Sequence, residues 1–422
     1  MTFPISRYTT LVAILVGLLP VLTLTVGGGS GLFYFLSLIC ALILGAAPAP
    51  LRWEPLRRYR SLVLALCLPL AAAVISQTLN AEWNGAEIER GLRIALGFPC
   101  LLAAFLLLDR NRLRQFAWGP LIAGAAATAV VAYLAGPSLR RPPTPQFNAV
   151  GYGNLMLLMA VLCLYSLNWK LTRYTKMERA LKIAVTAITF GGFILTQTRT
   201  GWMAIPVFAA IGLVLARWPR EPLRAVAMLV TIVLGATAIG ASSSALRERV
   251  AGGVREIQQC LTVAPTADTS MCIRLQLWGA SAKIISVDPW SGIGGGSSFA
   301  DALQQRAAAG EVSAYVAANF GEPHNDLLMA LVSYGMLGGI ALLTLYLAPA
   351  WLFLRRLRYG LPQVQRTAAA MGLAVCLGFA VFGLTELMFR GMRSVSLYVT
   401  LIALLAALSA PVSSQTQDLG PE

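Results

Sequence analysis

The stretch SLVLALCLPLAAAVISQTL, residues 61–79, carries no charge, and Arg57, Arg58 and Arg60 stand directly before it. Nineteen uncharged, mainly apolar residues wound as a helix cross a hydrocarbon core of ~30 Å. Arginines packed against one end only mark the end that stays in the cytoplasm. The same pattern recurs along the chain. Twelve spans are expected, at 9–26, 31–47, 61–79, 91–108, 114–135, 150–169, 180–196, 201–217, 223–241, 326–352, 367–389 and 394–412. Composition agrees: the 422 residues are 57% hydrophobic and 12% charged, with a mean hydropathy of +0.70. A soluble domain is far more charged. The expected fold is an all-α polytopic membrane protein of about twelve transmembrane helices.

A net charge of +15 raises nucleic acid as a partner, but the distribution of the charge removes it. With the N-terminus cytoplasmic, twenty of the 33 Lys and Arg residues fall in short cytoplasmic segments, including Arg52, Arg110, Arg112, Lys170, Arg173, Lys176 and Arg355. Short loops on the other side hold only Arg90, Arg93, Arg140, Arg141, Arg199, Arg390 and Arg393. The positive-inside rule then places both termini in the cytoplasm. No A-x-A cleavage pattern precedes the second span, so the first reads as an uncleaved signal-anchor.

Ten of the eleven connections are short. The exception, 242–325, divides the chain into spans one to nine at 1–241, an external cap at 242–325, spans ten to twelve at 326–412, and a polar tail at 413–422 read as disordered. Within the cap, Ser244–Gln259 is amphipathic, 271–286 places Ile273, Leu277, Ile284 and Ile285 on one stripe, and Ser298 with Asp301 suggests a third helix start. Pro69, Pro99 and Pro206 are expected to kink their spans, and Gly191-Gly192 and Gly338-Gly339 to permit close helix approach. Cys40, Cys67, Cys100, Cys163 and Cys376 lie in spans as packing residues. Cys260 and Cys272 share the external loop, where an oxidising compartment allows a disulfide.

Four clusters carry possible chemistry, all on the expected external side. Thr198-Arg199-Thr200-Gly201-Trp202 joins spans seven and eight. Its arginine either anchors the interface, with Trp202 in the aromatic belt, or faces an anion. Arg274 and Trp278 share a helix face in the cap, as surface residues or as a guanidinium offered to a ligand. Gly292-x-Gly294-x-Gly296 is either a phosphate-approaching turn or a linker, and no strand precedes it as a dinucleotide fingerprint requires. Pro323-His324-Asn325-Asp326 opens span ten and contains the only histidine in the chain. At a helix N-terminus, His324 is either a capping residue or a neutral base. Glu322 stands near enough in sequence to orient it. Arg390 and Arg393, in the last external loop, are weaker candidates for steering an anion, and Tyr315 and Trp290 for lining a sugar path.

No HExxH, CxxC pair, Asp-x-Asp or Walker A pattern is present, so no metal or cofactor is expected. Phosphate recognition then falls to arginines and backbone N–H groups.

Taken together, Arg199-x-x-Trp202, Arg274-x-x-x-Trp278 and His324-Asn325-x-x-Leu328 with Gly335 and Gly338 resemble the O-antigen ligase and polymerase superfamily, most closely over 190–340. The resemblance implies a GT-C-type, metal-independent, inverting glycosyltransferase of the Gram-negative inner membrane with its active site facing the periplasm. It would move O-antigen glycan from undecaprenyl diphosphate to a sugar hydroxyl of lipid A–core. His324 matches the family's proposed general base. Arg199 and Arg274 match the arginines that hold the diphosphate, with Trp202, Trp278 and Asn325 supporting. The span count and loop position favour a ligase over a polymerase, and a protein O-oligosaccharyltransferase is expected to carry an additional C-terminal soluble region after its last span. A transporter of lipid-linked glycan fits less well, because the distinctive polar residues lie at span ends rather than near the midplane.

Overall fold

The computed structural model describes residues 5–26, 28–136, 141–145, 147–217, 221–263, 265–296, 298–357 and 361–411. Arg140 and the tail at 413–422 lie outside the described residues. The described chain is helical, with no strand among the described residues. In order the helices are α1 (Ile5–Thr25), α2 (Gly29–Ala46), α3 (Ala49–Arg58), α4 (Arg60–Leu79), α5 (Gly85–Ala95), α6 (Gly97–Leu107), α7 (Arg110–Leu113), α8 (Trp118–Ala135), α9 (Ala149–Tyr165) and α10 (Thr175–Leu195). There follow α11 (Ile205–Ala216), α12 (Pro222–Ser242), α13 (Ser244–Thr262), α14 (Ser270–Val287), α15 (Ser298–Ala308), α16 (Ala314–Asn319), α17 (Asp326–Arg356), α18 (Gln363–Phe382) and α19 (Met392–Leu408).

Among the described residues, nine helices are long and apolar enough to cross a membrane. Each of the other three expected spans is also helical. The first turns of α10 carry Lys176, Glu178, Arg179 and Lys182, and the helices over Thr200–Ala216 and Met392–Leu408 are shorter. One boundary differs in a way that matters. The span expected over 367–389 ends as a helix at Phe382, and residues 383–391 form a loop. Pro69 lies inside α4 as expected, whereas Pro99 and Pro206 sit in the first turns of α6 and α11. Proline is tolerated there because its missing N–H has no helical partner anyway.

Helices α9, α18 and α19 form the centre and are buried along nearly their whole length. At the end away from the cap, arginines close the bundle. Arg110 donates to the carbonyl of Ala410 (2.7 Å), Arg356 to that of Ala406 (2.7 Å), and Arg366 to that of Val214 (2.8 Å). The last carbonyls of a helix lack partners within it and carry partial negative charge, which a guanidinium satisfies. Basic residues read from sequence as an orientation signal therefore also stitch helix ends together.

At the other end, α13 to α16 form the cap around a small core of Ile273, Leu277, Ile284, Phe299, Leu303 and Val316. The stripe expected on 271–286 is the face that α14 buries, with Ile285 partly buried beside it. Ser298 caps nothing: its hydroxyl is turned to Glu82 and to the carbonyl of Gly295. Cys260 and Cys272 are joined by a disulfide that ties the end of α13 to the start of α14 (Cα–Cα 5.4 Å). The cap core runs on into the bundle through Val332 of α17.

Helix α17 is broken at Gly335, whose φ of +62° is open to glycine alone at low cost. The Pro289–Gly296 turn fills the break: Met336 N–H donates to the Pro289 carbonyl (2.8 Å) and Ile293 N–H to that of Val332 (2.9 Å). Ser76 on α4 donates to the carbonyls of Ser291 and Ser333, and Asn80 to that of Gly292. The glycine-rich motif thus serves a close backbone approach within the fold. A Cβ on Gly292 would stand 2.6 Å from backbone atoms of Gly335 and Val332.

Candidate functional site

His324 lies between the cap and α17, and its backbone is unusual. Its φ of +50° is left-handed, a conformation that costs a non-glycine residue on the order of 1–3 kcal/mol and tends to be kept where function needs it. The turn throws the imidazole back toward the 383–391 loop. Phe320 meets the ring edge-on at 5.8 Å. Nδ1 stands 3.5 Å from Oε1 of Glu386 and 3.6 Å from Oε1 of Glu322. These are ion-pair distances, too long for hydrogen bonds.

The segment is tied down on three sides. Trp278 Nε1–H donates to the carbonyl of Pro323 (3.0 Å), fixing the backbone beside the histidine from the cap. Asn325 caps α17 through Oδ1, which accepts from Leu328 N–H (3.0 Å), while its Nδ2 donates to the Leu384 carbonyl (2.9 Å). The buried carboxylate of Asp326 accepts from Tyr346 Oη–H (2.7 Å) and from the N–H groups of Met388 and Phe389. Asp326 N–H donates to the Gly383 carbonyl (2.8 Å). The loop between α18 and α19 is thereby folded onto the start of α17.

That loop carries the residue that sequence reasoning missed. Glu386 is buried, and its Oε2 accepts from Nδ2 of Asn148 (2.7 Å), the N-cap of α9. Burial pushes its carboxyl up, but the His324 imidazole, the Asn148 amide and the Leu387 N–H outweigh burial and hold it below the usual carboxylate range. An acidic residue inside an expected span was the available signal, since such residues are costly in hydrocarbon and mark function. The expected span over 367–389 concealed it.

The arginines fall into separate settings. Arg390 donates to the Gly321 carbonyl (3.1 Å) and pairs with Glu322 (3.2 Å), so it belongs to the histidine's own surroundings. Arg274 lies one turn before Trp278 on α14, half-buried on the face that reaches Pro323. Arg199 stands between α10 and α11, beneath α13. A Cβ on Gly253 would lie 2.0 Å from its Nη1, so α13 crosses directly over the guanidinium. The neighbouring Thr198 hydroxyl donates to the Ala149 carbonyl (2.8 Å), one residue after the Asn148 that holds Glu386. Arg393 is half-buried at the start of α19. Trp202 packs against Phe190 and Phe193 (6.0 and 5.5 Å) and against Gly240 of α12. Tyr315 and Trp290 are exposed.

A cleft lined by Asp326, two residues past the histidine, lies between α4, α5, α17 and the 383–391 loop. Its walls are mostly apolar, and Glu87, Arg90 and Arg390 contribute its charged part. Glu87 pairs with Arg90 and accepts from the Tyr334 hydroxyl. On α17 both arms of the broken helix line it, Met329 and Ser333 before Gly335 and Gly338, Ala341 and Leu345 after it, and the arms are tied together where Tyr346 donates to Asp326.

Glu322, His324 and Glu386 bring three possible ligand atoms within 4.8 Å of one another, close enough together to share a cation. Arg390 and Asn148 already engage one oxygen of each carboxylate. Chemically, the site offers a single imidazole flanked by carboxylates, with guanidiniums nearby and an apolar cleft leading away.

Residues 184–343 match the family model described as O-antigen ligase. The match includes Arg199, Arg274 and His324 and ends before Glu386. A protein of Haemophilus influenzae, described as uncharacterized, is 27% identical over 164 residues, which cover 39% of this chain and 40% of that protein. The chain thus spans about two fifths of the length of that relative.

Proposed function

We propose that the chain is an O-antigen ligase. It would transfer glycan from undecaprenyl diphosphate to a sugar hydroxyl of lipid A–core, with inversion and without a metal ion. The observation that carries this reading is His324, the lone imidazole, seated in a strained turn within the matched region. A sugar hydroxyl is a poor nucleophile, and a neutral imidazole within hydrogen-bond reach takes its proton as attack proceeds. The leaving diphosphate gathers negative charge, and Arg199 and Arg274 stabilise it as fixed guanidiniums. The mostly apolar cleft between the arms of α17 and α4 suits the isoprenoid chain of the donor, because its walls offer hydrocarbon contact with few polar groups. Both termini would be cytoplasmic and the site periplasmic, on the inner membrane of a Gram-negative cell.

A polymerase extending a second carrier-linked glycan, or an oligosaccharyltransferase acting on exported protein, would use the same donor and base. The lipopolysaccharide ladder of a deletion strain separates them. Loss of the ligase leaves core without O-chain, whereas loss of a polymerase leaves a single repeat on core. An unchanged ladder contradicts both.

A further inference from the structure

We propose that Glu386 is the positioning residue of this site. Anchored by Asn148, it fixes the His324 ring with Nδ1 protonated and Nε2 open toward the acceptor hydroxyl. The inference rests on the general-base reading of His324 and adds a residue outside the matched region.

The argument begins with the ring nitrogen. His324 Nδ1 is shielded from solvent, has no hydrogen-bond partner, and faces carboxylate oxygens at 3.5 and 3.6 Å. A lone pair on Nδ1 would point at two negative groups, whereas a proton there is attracted to both. The neutral ring is therefore the Nδ1–H tautomer, and the basic lone pair lies on Nε2. Shortening the Glu386 pair by about half an ångström makes a hydrogen bond, the kind of tightening expected when substrate binds.

Of the two carboxylates, Glu386 is built for the role. Its side chain is 7% exposed against 27% for Glu322. Asn148 uses both ends of its amide: Oδ1 accepts from Gly151 N–H (2.8 Å) to cap α9, and Nδ2 grips Glu386 Oε2 (2.7 Å). The carboxylate is thus referenced to a buried central helix. Glu322 shares the histidine's own loop, and its charge is offset by Arg390 at 3.2 Å. The remaining charged neighbour on this segment, Asp326, is turned into the protein toward Tyr346 and the backbone of Met388 and Phe389.

Because His324 is the only histidine, the full-length protein labelled with ¹⁵N-histidine in lipid nanodiscs reports one imidazole. The wild type is expected to show protonated Nδ1 and bare Nε2 in its neutral form. Glu386→Ala is expected to move the signal toward the opposite tautomer, and Asn148→Ala to move it part of the way. Glu322→Gln should leave the tautomer as in the wild type. In transfer assays Glu386→Ala should lower kcat on the order of 100-fold with little change in KM, as for a misplaced reacting group. Glu386→Gln, whose amide oxygen still accepts from Nδ1–H, should keep the wild-type tautomer and recover part of the loss, and Asn148→Ala replaces the alanine variant if that one does not fold. An unchanged tautomer in Glu386→Ala overturns the proposal, as does a shift produced by Glu322→Gln instead. If His324→Ala keeps its transfer activity, the general-base reading fails while the tautomer assignment stands. If His324→Ala is inactive but Glu386→Ala keeps kcat, the positioning role alone fails.

Discussion

At the scale of the residue, the account turns on His324 and on what surrounds it. General acid–base contributions run to about 10²–10⁴-fold. His324→Ala and His324→Gln should lose transfer by at least about 10²-fold while keeping the elution profile of the folded protein, measured side by side on purified material. A second expectation follows from Glu386. Its carboxyl is held below the usual range in the folded protein, so its interactions stabilise fully above the unfolded carboxylate value of about 4.3 and are lost as pH falls through the lowered folded value. Thermal unfolding followed from pH 7 downward should show that acid loss in the wild type and a smaller one in Glu386→Gln. An equal acid loss in both would contradict the linkage. The position of His324 was legible because the only histidine of an apolar chain stands where a span opens. Glu386 was not, because its partners Asn148 and His324 lie 238 and 62 residues away and only the tertiary fold joins them.

At the scale of the element, the cap and the broken α17 hold the site together. The Cys260–Cys272 disulfide closes a loop between α13, which crosses Arg199, and α14, which carries Arg274 and Trp278. Loops of this size gain about 3 kcal/mol from such a bond. Cys260→Ser with Cys272→Ser should therefore raise the rate of limited proteolysis within 244–287 while the bundle stays intact, and equal cleavage of both forms would remove that role. The break in α17 makes a sharper case. An alanine at Gly335 would need a φ of +62° and would put its Cβ 2.2 Å from the Trp290 carbonyl oxygen. The backbone cost alone is on the order of 1–3 kcal/mol. Gly335→Ala should lower the unfolding temperature and loosen the cap, whereas Gly279→Ala, with open space around the glycine, should change little. Sequence reading found the glycines and left the 292–296 run undecided between phosphate loop and linker. The third use, a plug in a broken helix, depends on α4 and α17 meeting across more than 200 residues, which no local pattern encodes.

At the scale of the whole molecule, hydropathy made the membrane-spanning architecture legible, since the cost of burying backbone in lipid leaves helices as the simplest solution. The cap was legible for the same reason, as the one long polar interruption among apolar runs. Helix ends were less so: α18 stops at Phe382 because Asp326 and Asn325 bind the loop that follows, a tertiary cause. The arrangement leaves a single face where an imidazole, carboxylates, guanidiniums and an apolar cleft meet, and the central claim is that this face transfers glycan. The most direct test incubates the purified full-length protein in nanodiscs with undecaprenyl-diphosphate-linked glycan and lipid A–core, with EDTA present, and follows the product by gel mobility and mass. The account predicts glycan attached to the core by the wild type and none by His324→Ala. Equal product from both proteins, or no product from the wild type until a divalent cation is restored, would contradict it.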